Sequence, residues 1–285
     1  LGLVGSEMCI RDSETTPLVV DGVMYLTQSP SNVIALDAST GSHFWSYEHT
    51  LPDKLALCCG RQNRGVAILG ETLFLGTLDA KLIALDAKTG AVQWEVQSAD
   101  PATGYSKTAA PLVIGDKVIS GIAGGEYGIR GFLDAYDAHT GERIWRFYTI
   151  PGEGELHNDT WEGDSWKTGG APTWVTGAYD PDLNLVYWGT GNPGPDWNGE
   201  AREGDNLYSD SVIALDADTG ELKWHFQFTP HDVHDWDATQ IPILIDIEFD
   251  GRPRKLMLFP NRNAFFYVLD RVTGEFLRAT PFAMQ

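Results

Sequence analysis

One short unit recurs five times along the chain: LDASTGSHFW at 36–45, LDAKTGAVQW at 85–94, YDAHTGERIW at 136–145, LDADTGELKW at 215–224 and LDRVTGEFLR at 269–278. Its Asp stands at positions 37, 86, 137, 216 and 270. Each copy has a short apolar run such as Val33–Leu36, then Asp-x-x-Thr-Gly, then a second run that ends in Trp in four of the five. The centre is turn chemistry: Asp and Thr bond local backbone, and Gly takes positive φ. The Trp is placed to pack between adjacent sheets. Further strand pairs lie between the copies, as in TPLVVDGVMYL at 16–26 and GVAILGETLFLG at 65–76, each with a Gly-centred hairpin signal. No long stretch has helical period. Several short strands in a unit of about 40–50 residues predict a β-propeller blade. The fold class is therefore all-β, with about five blades. A closed ring of five is one solution; an incomplete larger ring is favoured, because seven residues follow Arg278.

Composition narrows the partners. Asp and Glu number 40 against 20 Lys and Arg, for a formal net charge of -20. Such a field repels nucleic acid and anionic membrane and is neutral towards a small uncharged substrate. No apolar run is long enough for a transmembrane helix. Residues 1–13, LGLVGSEMCIRDS, lack a basic region followed by an apolar core and match nothing downstream. They are expected to be a foreign leader, which leaves 14–285 as a partial propeller domain. Two of the three cysteines, Cys58 and Cys59, are adjacent, which excludes a zinc ribbon or C-x-x-C site. They are either two reduced, buried small hydrophobes or a vicinal disulfide, a ring that only its surroundings can hold. The blade at 146–214 is too long: 79 residues separate Asp137 from Asp216. The insert is rich in Gly, Asp, Asn and Trp, and long loops on a rigid scaffold usually carry function.

The remaining motifs lie outside the repeat. They are Glu14 in ETTP, CCGRQNRG at 58–65, Thr108 in KTAAP, AGGEYGIRG at 123–131, WKTGGAPTW at 166–174, WGTGNPGP at 188–195, TPHDVHDWD at 229–237 and Asn261-Arg262-Asn263. Glycines allow backbone to approach a flat ligand closely, an indole gives it a flat face, and carboxylate and amide oxygens suit a hard cation. Taken singly, Asn192 is an ordinary turn residue and Arg262 an ordinary turn cation. His231 and His234 raise the question of zinc, but their surroundings are rich in oxygen, and they are read as structural.

In this order the motifs resemble the pyrroloquinoline-quinone (PQQ)-dependent methanol and ethanol dehydrogenases, over roughly residues 14–285. That family folds as an eight-bladed propeller with PQQ and a metal ion at its axis, and this chain resembles its N-terminal half or somewhat more. The resemblance implies a Cys58–Cys59 disulfide stacked on PQQ, with Trp174 on the opposite face. It implies quinone contacts from Glu14, Arg64, Thr108, Ala123, Gly124, Gly125 and Arg262. The metal ligands would be Glu126, Asn192 and Asp235, and Asp235 would also be the catalytic base. Asp237 stands where calcium-type enzymes carry a small residue and lanthanide-type enzymes an Asp that adds a ligand. A trivalent ion of about calcium's size prefers more anionic oxygens, so a lanthanide(III) is expected, with Ca2+ as the alternative. Two positions depart from the family: Ala123 replaces a common Ser, and Pro172 replaces the Thr of methanol-oxidising relatives.

The implied reaction is oxidation of a primary alcohol to an aldehyde by metal-assisted hydride transfer to the quinone. Asp235 takes the alcohol proton, and Arg262 stabilises negative charge on the reduced quinone. Electrons would pass to a c-type cytochrome in the periplasm; no C-x-x-C-H haem motif occurs here. The rival class is a non-catalytic propeller with similar repeats, acting as an assembly scaffold. A second rival is an inactive fragment.

Overall fold

The structure is a computed structural model and describes residues 14–284. The expected foreign leader at 1–13 lies outside the described residues. Among the described residues twenty strands form five four-stranded sheets, each an antiparallel meander in chain order. The first holds β1 (Leu18–Val20), β2 (Val23–Gln28), β3 (Asn32–Asp37) and β4 (His43–Tyr47), and the second β5 (Ala67–Leu69), β6 (Thr72–Gly76), β7 (Lys81–Asp86) and β8 (Val92–Gln97). The third holds β9 (Leu112–Ile114), β10 (Lys117–Ser120), β11 (Phe132–Asp137) and β12 (Arg143–Tyr148). The fourth holds β13 (Ala178–Asp180), β14 (Leu185–Gly189), β15 (Ser211–Asp216) and β16 (Leu222–Gln227). The fifth holds β17 (Ile243–Phe249), β18 (Arg252–Pro260), β19 (Phe265–Asp270) and β20 (Phe276–Pro281). Among the described residues the only helical segments are five short 3-10 turns, three of them in the long insert. The all-β, five-blade expectation holds.

Each repeat Asp closes its own turn. The Asp37 Oδ1 accepts from the backbone N–H of Ser39 and of Thr40, and Asp86, Asp137 and Asp216 repeat the pattern. The Ser39 hydroxyl, together with the N–H groups of Thr40 and Ser39 and the Thr40 hydroxyl, lowers the Asp37 carboxyl to about 2. In four of the sheets the register slips by a bulge one residue before the Asp, as between Ala35 and Leu36. The bulge bends the strand into the turn.

The chain divides into two compact units. The described part of the first runs to Ile122 and includes Tyr136–Arg143; the second comprises Ala123–Ala135 and the described residues from Ile144 onwards. In the first unit, β6 and β7 are apolar on both faces. Leu73, Leu75, Ile83 and Leu85 join one core cluster, while Phe74, Leu82 and Ala84 join another. A sheet covered on both sides needs continuous apolar runs rather than alternation. In the second unit, Tyr187, Val212, Trp224, Phe228, Met257 and Phe259 form the corresponding core.

The repeat tryptophans make one contact four times. In the first unit, Trp45 Nε1 donates to the Ala87 carbonyl and Trp94 Nε1 to that of Ala138, both at 3.1 Å. In the second, Trp145 donates to Ala217 and Trp224 to Arg271, both at 3.2 Å. Each indole lies on the glycine of the next repeat, so Gly220 serves both as a turn at φ +71 and as the floor for Trp145. A Cβ at Gly220 would lie 2.7 Å from that ring. Gly220→Ala should therefore destabilise the protein by about 1 kcal/mol for its left-handed backbone and a further 1–3 kcal/mol for overpacking. Gly251→Ala, at φ +78 with nothing within 4 Å, should lose only the first part. Urea unfolding of the two variants checks the difference.

Candidate metal centre

The sequence-assigned metal ligands all lie in the second unit. Past the end of β14, Thr190–Asn192 runs between two loops. The Asp210 N–H donates to the Gly191 carbonyl at 3.0 Å, and the Ala238 N–H to the Thr190 carbonyl at 3.0 Å. The Asn192 N–H donates to Asp237 Oδ1 at 3.0 Å. Gly191 allows this approach, because a Cβ there would sit 2.5 Å from that same oxygen. The ring of Pro172 packs against both Gly125 and Gly191, and its carbonyl accepts the Gly191 N–H at 2.7 Å. The departure at Pro172 thus fills space between two glycine segments. The Asn192 side-chain amide donates to Asp196 Oδ1 at 3.0 Å.

Asp235 and Asp237 sit on the loop between β16 and β17. His231, Asp235 and Asp237 all have positive φ, at 49°, 61° and 48°. Asp tolerates this region better than most residues, and such outliers gather at functional sites. Asp232 holds the loop. Its Oδ1 accepts the His234 N–H at 2.8 Å and its Oδ2 the Trp236 N–H at 2.7 Å, one on each side of Asp235. His231 Nδ1 lies 2.8 Å from the Gly204 carbonyl, and the rings of His234 and Trp236 are 4.2 Å apart.

Behind the loop is Arg202, fully buried. Its guanidinium donates to the carbonyls of Pro195 at 3.2 Å, Asp196 at 3.0 Å and Asp232, and to Asn206 Oδ1 at 2.8 Å. One side chain thereby ties the segment after Asn192 to the loop that carries Asp235.

The electrostatics of these carboxyls are uniform in sign. Burial raises Asp237 to about 7 with help from Asp235; Trp174, the Asn192 N–H and Arg262 oppose it. Asp235 is raised by burial, with Arg262 opposing and Asp196 and Asp232 assisting. Glu126 stands inside the 3-10 turn Gly125–Tyr127 with solvent access, yet partial burial raises it too, with Asp196 and Asp235 adding to the effect. Asp210, which the sequence did not single out, is raised well above its usual range by burial and by Asp232 and Asp237. Four carboxyls in one unit thus lack enough positive charge for all to ionise easily. Arg262 meets part of the need, with Nη1 3.0 Å from Asp237 Oδ2. The oxygens of Glu126, Asp235 and Asp237 do not all lie within 4.8 Å of one another among the described residues. Carboxylates and one amide, with no thiolate or imidazole among them, are the donors a hard cation takes.

In the first unit, Cys58 and Cys59 form a disulfide. Arg64 Nη2 pairs with Glu14 Oε2 at 2.6 Å, and the Arg64 N–H donates to the Thr108 carbonyl at 3.0 Å. Buried Asn63 fixes this loop: its amide donates to the Gly76 carbonyl at 2.7 Å and its Oδ1 accepts the Gly65 N–H. Glu14, Arg64 and Thr108 are therefore neighbours. In the second unit, Ala123 is half-buried and Gly124 and Gly125 are buried.

Residues 5–280 match the family model for the glucose/ethanol/alcohol dehydrogenase β-propeller domain of the PQQ enzymes. The chain belongs to this family. Within it, the chain is 47% identical over 288 residues to quinoprotein alcohol dehydrogenase PedH of Pseudomonas putida, covering 95% of this chain and 48% of that protein. It is 42% identical to a lanthanide-dependent methanol dehydrogenase of Methylorubrum extorquens, covering 96% of this chain and 49% of that one. Among solved structures it is similar to a europium-containing methanol dehydrogenase, with a TM-score of 0.87 at 40% identity, over 94% of this chain and 50% of that one. The chain spans about half the length of the curated relatives it matches. No helix among the described residues of this quinoprotein-family chain is long and apolar enough to cross a membrane.

Proposed function

We propose that the protein carrying this chain oxidises a primary alcohol to its aldehyde, using PQQ and a lanthanide(III) ion, with Ca2+ as the alternative ion. The observation that carries this reading is the pair Asp235 and Asp237. Both are held at positive φ on a loop pinned by Asp232, and both are raised by burial in an environment of oxygen donors. Glu126, Asn192, Asp235 and Asp237 would hold the ion. When bound, PQQ would supply the hydride acceptor for the alcohol carbon and the ion a Lewis acid. Asp235, half-buried and raised towards neutrality, takes the hydroxyl proton; a base poised nearer the working pH transfers protons more effectively. Arg262 brings a fixed positive charge beside Asp235 and Asp237 and would stabilise negative charge on a reduced ligand. Trp174 offers a flat indole face, and its bond to Asp237 couples the quinone floor to the ion's ligand. The Cys58–Cys59 ring, Glu14, Arg64, Thr108, Ala123, Gly124 and Gly125 complete the quinone contacts of this reading. Electrons leave one at a time to a c-type cytochrome in the periplasm.

The test is dye-linked alcohol oxidation by the intact protein, purified with PQQ and either La3+ or Ca2+. Activity with at least one ion is expected. None with either, across several alcohols, would favour the scaffold class instead. Asp237→Ala should lower the La3+-supported rate by at least about 100-fold, since even outer-shell partners are worth about 10–100-fold in metal affinity. It should spare any Ca2+-supported rate; equal loss with both ions would count against the lanthanide assignment.

A further inference from the structure

Asp210 lies behind the proposed ion site and is used by nothing described so far. It is 1% exposed, and neither of its carboxylate oxygens has a hydrogen-bond partner. Its backbone is fully engaged: the N–H donates to the Gly191 carbonyl at 3.0 Å, and its carbonyl accepts the Phe228 N–H at 2.8 Å. Gly191 is the residue that packs against Asp237 Oδ1 and precedes Asn192. Asp210 is thus bonded to the segment that presents Asn192 and that packs against Asp237 Oδ1. A buried carboxyl without a donor is costly, and nothing in the packing requires an acid at this place.

The nearest buried cation does not offset it by contact. Arg202 spends its donors on Pro195, Asp196, Asp232 and Asn206, not on Asp210. The charges felt at Asp210 are those of Asp232, Asp237 and Asp235 on one side and Arg202 on the other. Burial is the first cause of its raised carboxyl and the acidic groups add to it, so further positive charge in the same region would favour an ionised Asp210.

We infer that Asp210 is a specificity-determining residue for the ion: a fixed carboxylate behind the ligand shell that favours a trivalent cation over a divalent one. The inference rests on the proposed ion site and deepens it. Its physical basis is that a charge at a fixed distance attracts a cation in proportion to the cation's own charge. Removing Asp210 therefore weakens a trivalent ion by half as much again, in logarithmic terms, as a divalent ion. The position is also too buried and too poorly placed among donors for the acid to serve the fold, so the fold alone should be better without it.

The experiment uses the intact protein with PQQ present, titrated calorimetrically with La3+ and separately with Ca2+, as wild type, Asp210→Asn and Asp210→Ser. Thermal melts without added ion run in parallel. Both variants should melt at or above the wild-type temperature without ion. La3+ affinity should fall by about 30-fold where Ca2+ affinity falls by about tenfold, narrowing the preference about threefold. Equal losses for the two ions, or no loss in either variant, would overturn the inference while leaving the site itself standing. A wild-type protein that binds neither ion would overturn both the inference and the proposed site.

Discussion

Asp235→Asn should lower kcat/KM for alcohol oxidation by about 10²–10⁴-fold, the range a positioned general base contributes. The substitution is close to a pure test of the proton acceptor. Asn matches the shape of Asp and tolerates the same left-handed backbone, so φ +61 at this position is no obstacle. The loop's own support is untouched, because Asp232 still caps the N–H groups of His234 and Trp236. An amide oxygen can still ligate a hard cation, so the ion should be retained with reduced affinity. The expected pattern is a collapse in rate with PQQ still bound, read from the cofactor's absorbance. A loss below about tenfold with bound cofactor would remove Asp235 from the proton-transfer role.

Arg202→Met should have the largest effect on stability, about 3–5 kcal/mol, with loss of ion binding. Met approximates the volume of the side chain and removes the charge and every donor. The carbonyls of Asp196 and Asp232 and buried Asn206 Oδ1 would then lose their guanidinium donor, while the Pro195 carbonyl would keep only the Asn198 N–H. Two of the carbonyls, those of Asp196 and Asp232, belong to the segments that position Asn192 and Asp235, so the damage falls on the centre. Arg202→Lys keeps the charge but cannot span four acceptors from one ammonium, and should recover only part of the loss. Chemical denaturation together with hydrogen exchange at 232–237 checks both effects. A Met variant within about 0.5 kcal/mol of wild type, the range of ordinary surface substitutions, would show that Arg202 is not the tie described.

The repeat made the fold legible because its chemistry is local. Asp, Thr and Gly close a turn by themselves, and the turn recurs. The partner of each repeat Trp was not legible, because the glycine beneath it lies in the next copy, at a distance that varies from 45 residues (Trp45 to Gly90) to 75 across the insert (Trp145 to Gly220). Asp235, Asp237, Asn192 and Glu126 could be picked out through family order, since no spacing rule links residues so far apart. What stayed hidden was the support. Arg202 sits in a run of Gly, Glu and Asp that looks like solvated surface, yet it is fully buried. Asp210 sits next to an apolar strand and looks like a turn residue, yet its carboxyl is enclosed and unpartnered. Composition cannot distinguish a buried polar residue from an exposed one; only the packing around it does. Arg262 illustrates the same limit. Its resemblance-based role faces the quinone, while its contact here is with Asp237.

The most direct measurement is an anomalous difference map from crystals of the intact protein grown with PQQ and La3+. The account predicts one dominant peak with oxygens of Glu126, Asn192, Asp235 and Asp237 at about 2.3–2.6 Å. It predicts, too, that at least one Asp237 oxygen faces the ion rather than Arg262. A dominant peak elsewhere, or one that Asp237 does not touch, would contradict it.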